Sequence, residues 1–233
     1  MEDTICNDRG LQSKMPSAKN IMSELMPDIV LIAETHLAEN KGTRLERYTF
    51  FGNPRKQKKG GRVVIFVKNE RKAHVAPHYS MRALEIVWIS INLRGKEPLS
   101  IGVYYGKQET TCSKEKIQEE MDNLSEELME LRAEGELILC MDANAKIGLM
   151  QEGVSRNGKL ILKVFLENQL LVMNRSEKCV GVITRQNRKN PDEKSAIDFM
   201  VCTNVASQWM EKMMIDEVRD YRFYKFVAWD RTG

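Results

Sequence analysis

Short runs of consecutive apolar residues, each bounded by turn residues, recur along this chain and predict strands buried on both faces. They lie at Asp28 to Glu34, Val63 to Val67, Leu84 to Leu93, Leu99 to Tyr105, Leu137 to Asp142 and Ser195 to Thr203. Shorter strands are expected at Ile5 to Arg9, Tyr48 to Phe51, Leu170 to Met173, Gly181 to Thr184 and Met214 to Val218. Gly95-Lys96-Glu97-Pro98 reads as a hairpin turn, so the central block is a set of consecutive antiparallel strands. Elsewhere the period changes. Ile117, Met121, Leu124, Leu128 and Leu131 step by three or four with acids between them, which predicts a helix over 114–134. Ser113 supplies its start and Gly135 its stop. A second amphipathic helix is expected over 157–168, and a short one over 19–25 that Pro27 ends. Helix followed by buried strand is the α/β pattern. The chain has no internal repeat and no low-complexity tract.

Several of these runs deliver an oxygen-bearing side chain at their end. Ile29-Val30-Leu31-Ile32-Ala33 leads into Glu34, and Leu137 to Met141 leads into Asp142, with Asn144 two residues on. Ala196-Ile197 leads into Asp198, and Ile5-Cys6 into Asn7. A buried strand meets solvent at its ends, so such groups gathered at one rim make a hard, oxygen-rich site suited to Mg²⁺ and its waters. That chemistry serves phosphoryl transfer. Glu34 is the natural metal ligand, with Asn7 a neutral donor beside it. Asp142 is suited to take a proton from attacking water, and Asn144 to hold the water or the phosphate. Asp198 is suited to orient a histidine or to help hold metal. Each such residue singly is more often a turn or cap residue; four such strand ends together favour a site.

The 233 residues show no linker and read as one domain. Hydrophobic content of 42% with 30% charge suits a globular chain with a true core. The net charge of +3 excludes a global polycation, so nucleic-acid affinity rests on local patches. The patches on offer are the basic turn Asn53 to Arg62 and the Thr184-Arg185 pair, with Arg62, Thr184 and Arg185 the expected phosphate contacts. A solvated hairpin tip is the plain alternative for the turn. None of the five cysteines forms a C-x-x-C pair, which argues against zinc and thioredoxin-like chemistry and for a reduced, intracellular protein. No apolar run reaches the ~18 residues of a membrane span, and no signal peptide opens the chain. Trp88 in an apolar run reads as core, not as a base-stacking platform.

In order, these segments resemble the motifs of the endonuclease/exonuclease/phosphatase superfamily, and among its members the endonuclease domains of LINE-type non-LTR retrotransposons. Asn7-Asp8-Arg9-Gly10-Leu11 resembles the opening "N-x-RGL", and Glu34-Thr35-His36-Leu37 the "ET-x-L" motif. Gly60 to Val67 resembles the "GGVAI" strand. Ile101 to Tyr105 resembles the strand bearing the active-site tyrosine, usually followed by Ala-Pro. Met141-Asp142-Ala143-Asn144-Ala145 resembles "GDFNA", and Ile197-Asp198-Phe199 the "IDY" strand. The resemblance spans nearly the whole chain. It implies a DNase I-like, four-layer α/β sandwich of two mixed sheets with helices outside. It also implies that Asn7 and Glu34 hold Mg²⁺, with Mn²⁺ the alternative ion. Tyr104 would contact the scissile phosphate, Asp142 activate water with Asn144 close by, and Asp198 pair with a catalytic histidine. The implied partner is DNA, within a parent polyprotein that carries a reverse transcriptase, in the nucleus or the cytoplasm.

The family's closing Ser-Asp-His is absent. The chain's histidines are His36, His74 and His78, all upstream of the "IDY" strand, and Pro77 argues against a helical metal pair from the last two. The domain, residues 1–233, therefore reads as C-terminally truncated. Three functions are consistent with the sequence: a Mg²⁺-dependent DNA endonuclease, a catalytically inactive remnant that keeps the fold and some DNA or metal binding, and, with least support, a superfamily phosphatase.

Overall fold

The structure is a computed structural model and describes residues 2–7, 22–33, 35, 45–52, 63–76, 84–150, 153–186, 190, 192, 194–218 and 221–228. Along the chain the elements are β1 (Glu2–Asn7), β2 (Ile29–Ala33), β3 (Tyr48–Gly52), β4 (Val64–Lys68), β5 (His74–Val75), β6 (Ile86–Ile91), β7 (Leu99–Tyr105) and α1 (Lys114–Glu134). There follow β8 (Glu136–Asp142), α2 (Arg156–Glu167), β9 (Leu171–Val172), β10 (Cys179–Val180), β11 (Arg185–Gln186), β12 (Lys194–Ser195), β13 (Asp198–Cys202), α3 (Asn204–Trp209), β14 (Met210–Val218) and β15 (Tyr221–Ala228).

Two mixed sheets face each other. One runs β10-β14-β15-β1-β2-β4-β3 and the other β5-β6-β7-β8-β13-β9; a ribbon of β11 and β12 stands apart. Both sheets are mixed because β1 and β2, β10 and β14, and β7 and β8 pair in parallel while the remaining ladders are antiparallel. The apolar runs lack alternation because both faces of these strands are covered. In β2, Ile29, Leu31 and Ala33 join Val103, Cys140 and Met200 in the core between the sheets. Val30 and Ile32 turn to the other side, against Met22 and Phe66. The six-stranded sheet offers Trp88, Tyr104, Leu139, Met141 and Phe199 to Leu124 and Leu128 of α1 and to Ile161 and Phe165 of α2. The layers are therefore helices, sheet, sheet, and the segment bearing Met22: the sandwich expected from the sequence.

Helix α1 has the boundaries its periodicity predicts. The Ser113 hydroxyl accepts the Lys116 amide at its start, and the Gly135 amide bonds the Leu131 carbonyl at its end. Other elements differ from expectation. The strand expected over Gly181 to Thr184 lies instead at Cys179–Val180, because Gly181 turns the chain out of the sheet with φ of 93°. Strand β14 begins at Met210, four residues earlier than expected, directly after the six-residue α3. Strand β15 pairs with both β14 and β1. His74 lies in the short exposed strand β5; His78 is outside the described residues.

Cys140 and Cys202 are free thiols in the inter-sheet core, and burial pushes the Cys202 thiol up to about 12. That keeps it protonated, and it acts as a small apolar side chain. Among the described residues, no helix is long and apolar enough to cross a membrane. Trp88 is core: its indole lies over Gly102, its register partner in β7. A Cβ on Gly102 would come within 2.4 Å of that ring, so the strand carries glycine here. Gly102→Ala is expected to cost ~1–3 kcal/mol through overpacking, read as a lower urea midpoint with an unchanged slope. An unchanged midpoint would mean the indole has room to move.

Candidate active site

Strand β8 ends at Asp142, and both neighbouring ladders reach it. Tyr105 of β7 is its parallel partner, and Asp198 of β13 is its antiparallel partner. Residues in register on adjacent strands project to one face of a sheet. Two positions deeper, the same row reads Val103, Cys140 and Met200, all in the inter-sheet core. Tyr105, Asp142 and Asp198 thus share the inter-sheet face at one rim. Asp142 and Asp198 are nearly inaccessible, while Tyr105 is half-buried against the core. Two adjacent carboxylates in a poorly solvated setting repel each other, a repulsion that a nearby cation relieves.

The loop after β8 is folded by this same acid. The Asn144 amide donates to Asp142 Oδ1 at 3.1 Å, and Asn144 takes φ of 46°, a left-handed conformation that asparagine tolerates. Its side-chain Nδ2 donates to the Gly106 carbonyl at 3.0 Å, which leaves Oδ1 as an acceptor. The Gly106 amide in turn donates to the Asp142 carbonyl at 2.8 Å. A Cβ on Gly106 would stand 2.6 Å from the Ala143 carbonyl oxygen, so glycine allows the two loops to touch.

Asp198 is held from both sides through its backbone. The Thr184 hydroxyl accepts the amides of Ile197 and Asp198 at 2.8 and 3.1 Å. Asn174 donates to the Asp198 carbonyl and accepts the Met200 amide, bridging the strand start. The Ile197 carbonyl accepts the Ala143 amide at 2.9 Å, tying this turn to the Asp142 loop.

Two expected assignments change. Tyr104 does not share the row. It faces the helices, fully buried, and its hydroxyl donates to Glu120 of α1 at 2.9 Å. Burial, with Glu120 alongside, pushes that phenol well above its usual range. Tyr105, not Tyr104, shares the row with Asp142. Thr184, expected at a phosphate, is inaccessible and spends its hydroxyl on β13. It positions Asp198 and cannot reach a ligand. Arg185 is exposed on β11.

Glu34 and Arg62 lie outside the described residues. Asn7 ends β1 in register with Ala33, the residue before Glu34, and with Arg222 of β15. Strand β2 packs against β7 and β8 across the sandwich. Among the described residues, no three His, Cys, Asp or Glu side chains form a ready metal cage. The donor set is nonetheless all oxygen: Asp142, Asp198 and Asn144 Oδ1, with Asn7 and Glu34 from the sequence. Such a set fits a hard divalent cation. A groove of about 650 Å³ along α1 and α2 and another of about 750 Å³ beside β9 include none of these residues.

Positioning residues such as Asn174 and the Thr184 hydroxyl carry no sequence periodicity, because each acts through backbone atoms of a strand distant in sequence. Thr184→Val is expected to cost ~1–3 kcal/mol, since it leaves two buried amides without an acceptor. Urea unfolding measures this; a loss within ~0.5 kcal/mol would mean that the two amides find another acceptor.

No family model matches the chain, and no curated protein matches it in sequence. Solved structures do. The endonuclease domain of TRAS1, a telomere-specific non-LTR retrotransposon, superposes with a TM-score of 0.76 at 16% identity, covering 99% of each chain. A 3′-5′ exonuclease from Neisseria meningitidis has a TM-score of 0.77 at 15% identity, with 98% of this chain and 99% of that one covered. An AP endonuclease from Leishmania major has 0.78 at 12% identity, with 97% and 86% covered. An endonuclease/exonuclease/phosphatase from Bacteroides vulgatus and a Bacteroides thetaiotaomicron mannosyl-6-phosphatase match as well. This chain has the DNase I-like fold that these nucleases and phosphatases of the endonuclease/exonuclease/phosphatase superfamily share.

Proposed function

We propose that this chain hydrolyses phosphodiester bonds in DNA, as a Mg²⁺-dependent endonuclease domain of retrotransposon type. The observation that carries this reading is the row of Tyr105, Asp142 and Asp198 at one set of strand ends, with Asn144 tied beside it. The likeness in fold to nucleases supports it. In this reading the substrate phosphate lies over the rim, near the Tyr105 hydroxyl. Asp142 takes a proton from the attacking water, which Asn144 Oδ1 orients. Water bonds to phosphorus, the bond to the 3′ oxygen breaks, and a 3′-hydroxyl and a 5′-phosphate result. The leaving oxygen takes its proton from water. Glu34, Asn7 and Asp198 would hold the cation, Mg²⁺ or Mn²⁺. When bound, that ion supplies charge neutralisation at the phosphate. Arg62 and Arg185 would grip the DNA backbone, and a reverse transcriptase in the same polyprotein would use the 3′-hydroxyl as a primer, within the nucleus or cytoplasm.

One observation favours the second reading, an inactive remnant. Among the described residues the one histidine, His74, lies in β5 at the far edge of the sheet that carries Asp198, so no described histidine stands beside that acid.

Nicking of supercoiled plasmid in Mg²⁺ separates the two. The wild type is expected to nick, Glu34→Ala and Asp142→Ala each to lose ~10²–10⁴-fold in rate, and Tyr105→Phe to lose more than Tyr104→Phe. No nicking by the wild type, with DNA binding retained, would establish the remnant. A larger loss for Tyr104→Phe would return the site tyrosine to that position.

A further inference from the structure

Helix α1 carries a carboxylate that the nuclease reading does not use. Glu120 is 2% exposed and sits between two groups from the segment that ends β7. Its Oε1 accepts the Tyr104 hydroxyl at 2.9 Å, and its Oε2 pairs with Lys107 Nζ at 3.2 Å. Burial pushes its carboxyl up, while Lys107 and Tyr104 pull it back down and Glu85 opposes them. An acid in such a place is costly, and a buried ion pair adds little stability over an apolar pair of the same size. Stability alone therefore gives no reason for the pair to be there; a fixed geometry does.

The segment so fixed is the loop that leaves β7 at the catalytic rim. A second clasp holds it from α2. Asn157 Nδ2 donates to the Lys107 carbonyl at 3.1 Å, and the Asn157 amide donates to Glu109 Oε1 at 2.6 Å. Between the two clasps and Tyr105 stands Gly106, whose carbonyl accepts Asn144 Nδ2 and whose amide donates to the Asp142 carbonyl. The side of Asn144 that faces a substrate is thus set by a carbonyl whose own position depends on Lys107.

We propose that Glu120 is a positioning residue of the strand-end site: by anchoring Lys107 to α1 it fixes the Gly106 carbonyl, and through it the side-chain amide of Asn144. This rests on the nuclease reading for its kinetic consequence but not for its structural one. Glu120→Gln keeps a bond to Tyr104 and removes the charge that Lys107 meets. Lys107→Met removes the other partner at a side chain 36% exposed, without changing a core residue.

In plasmid nicking each variant is expected to lower kcat about tenfold to a hundredfold with KM for DNA unchanged, and the double variant to fall no further than the singles. Hydrogen exchange gives a readout independent of activity. The Gly106 amide is expected to exchange faster in both variants while the Met200 amide in β13 keeps its protection. Unchanged Gly106 exchange overturns the proposal whether or not the wild type nicks. So does faster exchange across β13 and β8 alike, which would mark Glu120 as a general stabiliser. If the wild type shows no nicking but the Gly106 amide responds as expected, the nuclease reading fails and the anchoring role stands. Should Glu120→Gln fail to fold, Lys107→Met alone decides.

Discussion

Strand β8 pairs with β7 on one side in parallel and with β13 on the other in antiparallel, and both ladders end at Asp142. This double register is the constraint on which the site depends. Side chains alternate along a strand, so a slip of one residue in either ladder would send Tyr105 or Asp198 to the helix-facing side. The slip is prevented deeper in the sheet. Val103, Cys140 and Met200 fill the inter-sheet core on one face, and Leu139, Met141 and Phe199 fill the helix-facing core on the other. An apolar core on both faces fixes the register, and the register brings the two carboxylates and the tyrosine into one row.

The polar rim has a cost that the surrounding hydrogen bonds offset. Buried carboxylates and left-handed loop residues persist where neighbouring structure over-determines them. Thr184 and Asn174 do this for Asp198, Gly106 does it for Asn144, and Glu120 with Lys107 does it one layer further out. The supporting groups come from four separate stretches of chain. They converge because β7, β8 and β13 are neighbours in the sheet while α1 and α2 cover its back.

Much of this was legible in the sequence. The continuous apolar runs announce a doubly covered sheet, the boundaries of α1 follow from Ser113, the leucine spacing and Gly135, and Asp142, Asn144 and Asp198 stand at strand ends, where the sequence sets them. What escaped depends on geometry that a linear pattern does not encode. Tyr104 and Tyr105 are adjacent and chemically alike, and which one shares a face with Asp142 is fixed by the β7–β8 register alone. Thr184 looks like a phosphate ligand until two backbone amides claim its hydroxyl. Helix α3 is too short to show a period, and the start of β14 and the whole of β15 sit where charged residues interrupt the apolar signal.

The central claim is that the ends of β7, β8 and β13 form one oxygen-rich site. Paramagnetic line broadening tests it most directly: titrate the labelled protein with Mn²⁺ and follow its backbone amides. The account predicts selective broadening at Tyr105, Asp142 to Asn144 and Asp198, joined by Asn7 and Glu34. Broadening confined to the acids along α1, Glu115, Glu119 and Asp122, with the strand-end amides untouched, would contradict it.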